Sequence, residues 1–175
     1  MEQELILKAR AGDGAAFNGL VRLYDRRIYQ AAYSILRNPD ESKDMVQETF
    51  IRAYRHINNF DPDRPFYPWL YRIVKNLCLN RTTNKGYRTA SLPEMEQASA
   101  MAGPEESLMR EESAREVREA VERLPEKHRE IIVLKHFQDC SYKEMSEILD
   151  VPEGTVMSRL YHARKALKEA LLIGE

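Results

Sequence analysis

The segment Ser141–Lys168, SYKEMSEILDVPEGTVMSRLYHARKALK, constrains the fold more than any other part of the chain. Two apolar stripes at helical spacing flank a break containing Pro152, which predicts a short helix, a tight turn and a longer helix. Ser141 and Glu144 have capping-box spacing, so hydroxyl and carboxylate can each satisfy an orphaned amide at the helix start. Tyr142, Met145, Ile148 and Leu149 form the inward stripe of the first helix, and Ser146 is small enough to let the second cross closely. Asp150 takes the left-handed position that ends the first helix, a conformation Asp tolerates better than most residues. Pro152 pre-sets the backbone for the second helix, with a buried stripe of Val156, Leu160, Ala163, Leu167 and Leu171.

The opposite face of that second helix presents Thr155, Ser158, Arg159, His162 and Lys165, with Met157, Tyr161, Arg164 and Lys168 alongside. From Thr155 to Lys168 there are four Lys or Arg residues and no acidic one. Hydroxyls and cations at the leading end of a helix can bond base edges and phosphates in the major groove, which is how a helix-turn-helix reads DNA. A solvated basic face on a terminal helix is the plain alternative.

The remaining segments also read as helices, with no alternating strand pattern. The first spans about Glu2–Ala11 and ends at Gly12-Asp13-Gly14. A long second one carries Phe17, Leu20, Val21, Tyr24, Ile28, Ala31 and Ile35 on one face and is broken by Asn38-Pro39. A third runs from about Glu41 to Asn58 and is expected to bury Val46, Phe50, Ala53, Tyr54 and Ile57. Three prolines in Asn59–Pro68 exclude a continuous helix there. The fourth helix, starting at Trp69, carries Leu70, Ile73, Val74 and Leu77 toward Lys85. Linker composition, rich in Ala, Ser, Glu and Pro, then takes over. Helicity resumes with Ala114, Val117, Val121 and Leu124 on one stripe, and Pro125 begins a helix with Ile131, Ile132, Val133, Leu134 and Phe137. The expected fold class is all-α, with two small helical domains over 1–88 and 113–175 joined by a flexible linker, 89–112.

Charge supports two modules. Net charge is −1, too balanced for a nonspecific polycation. Residues 1–86 hold 14 basic and 10 acidic side chains, a surplus of +4; residues 87–123 hold 5 and 9, or −4. Residues 124–175 hold 8 and 9, with cations concentrated on the last helix. Cys78 and Cys140 lack metal-ligand spacing and read as ordinary thiols in a reducing cytoplasm. No metal or cofactor is expected. No apolar run approaches the roughly 20 residues of a membrane span, and no nucleophile–base pair or phosphate loop supports an enzyme.

Opposite the buried stripe of the third helix lie Asp44, Glu48, Arg52 and Arg55, with Gln47 beside them. Glu48 and Arg52 have the i,i+4 spacing of an ordinary intrahelical pair. The loop bearing Phe60 and Phe66 leads to Trp69, Arg72, Lys75, Asn76 and Arg81. Aromatics beside amides and cations suit single-stranded DNA, where a flipped base needs a stacking surface and an edge-reading amide. The alternative is that these aromatics are core.

The combination DMVQETFIRAYRHINNF…FYPWLYRIVKN, LPEKHREIIVLKHFQDCSYKEMSEIL and VPEGTVMSRLYHARKAL resembles an extracytoplasmic-function (ECF) sigma factor of bacterial RNA polymerase. Such proteins consist of sigma regions 2 and 4 joined by a linker. The resemblance implies that Asp44, Gln47, Glu48, Arg52 and Arg55 lie on the helix that docks on the clamp helices of the largest polymerase subunit. It places Phe60 and Asn76 at a pocket for a base flipped from the melted minus-ten element, with Arg72, Lys75, Arg81, Lys85 and Arg88 along the adjoining backbone. Thr155, Ser158, Arg159, Tyr161, His162, Arg164 and Lys165 would meet the minus-thirty-five element. It also implies contact with the flap of the second-largest subunit, an anti-sigma partner, cytoplasmic location without direct membrane insertion, and no catalytic centre of its own. Met157 stands where many relatives carry Arg or Lys, and His162 where Arg is frequent. Asn80, Ser146 and Asp150 replace a common Asp, Ala and Gly.

Two other readings use the same residues. A stand-alone helix-turn-helix regulator accounts for residues 124–172 but leaves the Asp44–Arg55 surface and the aromatic loop without a role. An anti-sigma or adaptor-like helical protein working only through protein contacts leaves the basic recognition face without one.

Overall fold

The computed structural model describes residues 2–85 and 115–172, with the side chains of Asn84 and Lys85 outside the description. Arg88 and the expected linker 89–112 lie outside the described residues. All regular elements among the described residues are helical: α1 (Glu2–Arg10), α2 (Gly14–Leu36), α3 (Pro39–His56), α4 (Phe66–Lys85), α5 (115–123 of the described chain), α6 (Glu126–Ile132), α7 (Tyr142–Leu149) and α8 (Glu153–Leu172).

The helix boundaries follow from local chemistry. Gly12, at φ 93°, takes the left-handed turn after α1. Asp13 caps α2 by accepting from the amides of Ala15 and Ala16, and Asn38 caps α3 by accepting from Asp40 and Glu41. Pro39 therefore opens α3 rather than merely ending α2, since a first-turn proline gives up no helical hydrogen bond. A 3-10 turn, Ile57–Asn59, extends it. For the same reason α4 begins three residues before Trp69, at Phe66, and accommodates Pro68 in its first turn. Helix α6 continues into one wide π turn, Val133–Phe137, closed by Gln138 N–H donating to the Val133 carbonyl at 3.1 Å. Ile131 through Leu134 are thereby all buried.

Helices α1–α4 form one bundle and α5–α8 a second. The two share a continuous core, because α4 packs on α7. Tyr67, Leu70, Tyr71 and Val74 of α4 join Ile131, Leu134, Cys140 and Met145 in one buried cluster. Ala114 lies outside the described residues; the other stripes hold, with three exceptions. Tyr54 is 48% exposed, lying edge-on to Phe17 with ring centroids 5.0 Å apart. Tyr142 is partly exposed at the start of α7, under the Lys135 ammonium. Val117 is exposed near the beginning of the described part of α5.

Candidate functional site

The helix-turn-helix forms as its capping signals dictate. The Ser141 amide donates to Glu144 Oε2 at 2.7 Å, and the Glu144 amide donates to Ser141 Oγ at 3.2 Å. Asp150 is left-handed at φ 52°, ψ 50°. Ser146 contributes more than small size: its Oγ donates to the Val151 carbonyl at 2.6 Å and fastens the turn to α7. The Pro152 carbonyl accepts from Thr155 and Val156, starting α8. Val156, Leu160 and Ala163 are buried, whereas Ser158, Tyr161, His162, Arg164 and Lys165 are exposed and Thr155 and Arg159 half-buried. Tyr161 stands out at 67% exposure, with its ring edge against His162. No ion pair among the described residues engages Arg159 or Lys165. Arg164 instead donates to His136 Nε2 at 3.4 Å, and burial, reinforced by Arg164 and Lys135, lowers the His136 pKa. The face is thus a ridge of accessible donors on a rigid helix.

A second site lies where the 3-10 turn meets α4. Phe60, Phe66 and Trp69 pack with centroids 5.1–5.5 Å apart. Phe60 is only 4% exposed, Phe66 is buried and Trp69 half-buried, so all three belong to the core, and Phe60 and Trp69 also wall a cavity of about 310 Å³. Asn59, Asp61, Arg64, Pro65, Pro68, Arg72 and Glu147 complete its lining. The structure therefore brings Phe60 and Arg72 together. Asn76 is exposed one helical turn beyond Arg72 and does not line the cavity. Sequence reasoning misses Arg64, although the turn that positions it is legible: Asp61 accepts from the Asp63 amide, and Arg64 N–H donates to the Asp61 carbonyl. Arg81 lies 3.9 Å from Glu41 on α3. Of Lys85 only the backbone is described, at the end of α4.

The exposed side of α3 carries Asp44, Gln47, Arg52 and Arg55, with Glu48 half-buried and held by Arg52 Nε at 2.6 Å. Beside it runs an open groove of about 440 Å³ between α2 and α3, lined by Phe17, Val21, Phe50, Ile51, Tyr54 and Arg55. Ile51 and Tyr54 are both nearly half exposed, and helical periodicity alone does not mark Ile51.

The two bundles meet through charge as well as core. Arg27 of α2 donates to the Gln138 carbonyl at 3.1 Å and to Glu144 Oε1 at 3.1 and 3.2 Å. Its guanidinium carbon lies 3.5 Å over the centroid of the Tyr67 ring. The buried Tyr67 hydroxyl donates to Gln138 Oε1 at 2.8 Å. Further along α4, Arg72 donates to the Glu147 carbonyl at 2.6 Å and Lys75 lies 3.0 Å from Glu130. Arg64 approaches Glu147 Oε2 at 3.6 Å.

Comparison with known proteins extends these observations. The family described as Sigma-70 region 2 matches residues 20–87, and Sigma-70, region 4, matches residues 114–167. The ECF RNA polymerase sigma factor SigW of Bacillus subtilis is 36% identical, covering 98% of this chain and 97% of its own. The RNA polymerase sigma-H factor of Pseudomonas aeruginosa is 34% identical over 97% of this chain and 93% of its own. The ECF RNA polymerase sigma-E factor of Escherichia coli K12 is 35% identical over 95% and 92%. Among solved structures, CnrH in complex with the cytosolic domain of CnrY superposes with a TM-score of 0.71 at 30% identity, covering 99% of this chain and 98% of that one. The chain belongs to the ECF sigma factor family of RNA polymerase.

Proposed function

We propose that this ECF sigma factor binds core RNA polymerase, directs it to a subset of promoters and traps the opened DNA, contributing no catalytic group itself. The observation that carries the reading is the match of both modules, in order, over nearly the whole chain. A stand-alone regulator has no use for the first module, which is the longer of the two matched segments.

The division of labour follows the surfaces. Residues 1–88 form the polymerase-docking and minus-ten module and 113–175 the minus-thirty-five module, with 89–112 as the connection between them. Asp44, Gln47, Glu48, Arg52 and Arg55 on α3 present mixed charge beside an apolar groove, a pattern suited to a helical partner such as the polymerase clamp. The face from Thr155 to Lys165 enters the major groove and positions the complex. Phe60, Trp69, Arg64 and Arg72 form the pocket that takes a base from the non-template strand, with Lys75, Asn76, Arg81, Lys85 and Arg88 extending the track for its backbone. A stacked base contributes about 1–3 kcal/mol, similar to the cost of unstacking it, so a few such contacts tip local melting.

CnrH is solved with the cytosolic domain of CnrY, and the RpoE of Bartonella quintana with the anti-sigma factor NepR. Membership of the ECF sigma factor family carries the proposal of an anti-sigma protein as a partner here, and CnrH, 30% identical, is likewise solved with a second protein. No helix among the described residues is long and apolar enough to cross a membrane, and the proposed place of action is with polymerase in the cytoplasm. Reconstitution with core polymerase and run-off transcription on genomic fragments tests the whole reading. Start sites sharing a two-part motif are expected; failure to bind core at micromolar concentration overturns it.

A further inference from the structure

The exposed ridge of α8 has two chemically different flanks. Ser158 and Lys165 face directly away from the buried stripe of Val156, Leu160 and Ala163. One flank carries Thr155, Arg159 and His162: a hydroxyl, a guanidinium and an imidazole. The other carries Met157 and Tyr161, neighbours one helical turn apart. Met157 is 50% and Tyr161 67% exposed, whereas the remaining apolar residues of this half of the helix, Val156, Leu160 and Ala163, are buried. Core packing does not account for the pair, since the ring contact of Tyr161 among the described residues is with His162, its neighbour in sequence. Arg164, next along this flank, is held by His136 at 3.4 Å. The leading half of the flank therefore presents a thioether and ring carbons. Side chains on a helix lean toward its N-terminus, so both residues cover the end that reaches base edges.

In the major groove a standard base pair displays one apolar group, the C5 methyl of thymine. The other groups on the base edges donate or accept hydrogen bonds, and a thioether or ring carbon set against them leaves them desolvated and unpaired. We propose that Met157 and Tyr161 are specificity-determining residues that read the C5 methyls of two thymines, while the Thr155, Arg159 and His162 flank reads hydrogen-bonding edges. The inference rests on the reading of α8 as the duplex-facing helix. Four residues of helix advance about 6 Å, so the two thymines lie about two base-pair steps apart, at about 3.4 Å per step. Lys165 and Lys168 beside the pair supply sequence-independent attraction to phosphate. The pair itself contributes selection, and the unbranched Met157 can settle against a methyl without a fixed approach angle.

The test uses holoenzyme formed from the full chain and core polymerase, bound to a promoter duplex mapped by run-off transcription. Each upstream thymine is replaced in turn by deoxyuridine, which removes the C5 methyl and keeps the pairing and every hydrogen-bonding group. Two positions about two steps apart are each expected to lose about three- to fourfold in affinity, the worth of one buried methyl. Met157→Ala should abolish the loss at one position and Tyr161→Ala at the other. Met157→Leu, which keeps an apolar end, should retain it. Both residues are exposed, so truncation leaves the core intact. An upstream element without thymine, no loss with uridine at any position, or a loss that the alanine variants leave unchanged overturns the pair as methyl readers. The groove assignment survives that result if Arg159→Ala with Lys165→Ala still weakens binding, and falls with it if that double variant binds as the parent does. A chain that forms no holoenzyme overturns the functional reading itself, and the role of the pair with it.

Discussion

Arg27 of α2 grips Glu144, the residue that caps α7, at 3.1 Å. The carboxylate is divided: Oε2 accepts from the Ser141 amide and Oε1 from Arg27, so one side chain starts the helix-turn-helix and fastens it to the first module. Burial opposes the guanidinium charge, but Glu144, with Tyr67 and Cys140, outweighs it and raises the Arg27 pKa. The contact joins positions 117 residues apart in sequence, and the local rules that identify the capping box are silent about it.

Arg27→Met and Glu144→Gln, singly and together, measure that link. Gln retains capping-box geometry at this position, so the cycle isolates the cross-module charge. The pair is partly buried, with side chains 25% and 16% exposed. Coupling of about 1–2 kcal/mol is expected, between exposed pairs and fully buried ones. Urea unfolding followed by two probes checks it, and additivity of the single variants would remove Arg27 from the interface.

Cys140 offers a chemical readout of the same contact. Its thiol lies 3.5 Å from Arg27 Nη2, and burial pushes its pKa up to about 12. Cys78, within α4, is also raised to about 12 by burial. At pH 8 only about one thiol in ten thousand is then ionised, and the thiolate is the reactive form. Both cysteines should resist an aromatic disulfide reagent in the native chain. Arg27 itself favours the Cys140 thiolate, so Arg27→Met speeds Cys140 only by opening the interface to solvent; a net gain of at least about tenfold is expected while Cys78 stays slow, with a Cys78→Ala background assigning the phases. Parental labelling of Cys140 at the rate of a free thiol would contradict the closed interface.

What the sequence reveals divides along a physical line. Helices, caps and the left-handed Asp150 are legible because they depend on residues within one or two turns. Periodicity misplaces Tyr54, since it gives the side of a helix but not how far neighbouring helices reach around it. Phe60 reads from sequence as either pocket or core, and it is both: its ring is 4% exposed and still walls the cavity. Glu147 carries no signal, because only the packing of α7 against α4 brings it to Arg64 and Arg72.

His136 predicts a pH response of the second module. Its pKa lies below the ordinary 6.5 through burial, then through Arg164 and Lys135. The unfolded chain therefore binds a proton more readily than the folded one. The stabilising contribution of the neutral ring is complete above pH 6.5 and declines as pH falls through that value and on toward the depressed folded pKa. Thermal unfolding at pH 7.5 and 5.5 should show a loss that His136→Gln reduces. Protonation also ends acceptance from Arg164, freeing that guanidinium, so duplex affinity at pH 5.5 should rise in the parent more than in His136→Gln. An unchanged difference between the two proteins across this range would show that His136 is not a proton-linked partner of Arg164.

Arg159 and Lys165 separate positioning from reading on the recognition helix. Both lie clear of ion pairs among the described residues, so substitution by Ala disturbs little inside the protein. Removing a cation that pairs with a duplex phosphate lowers affinity for all sequences and reduces the salt slope by about 0.9. Removing a bidentate donor to guanine costs about 1–3 kcal/mol at one base position and relaxes specificity there. Arg159, nearer the start of α8 and half-buried, is expected to show the second behaviour. Lys165, further along and exposed, should show the first. Titrations of holoenzyme on a mapped promoter and on variants of its upstream element, each at several salt concentrations, distinguish them. Unchanged affinity and slope in the double variant would remove this face from the groove, whatever the match of the rest of the chain.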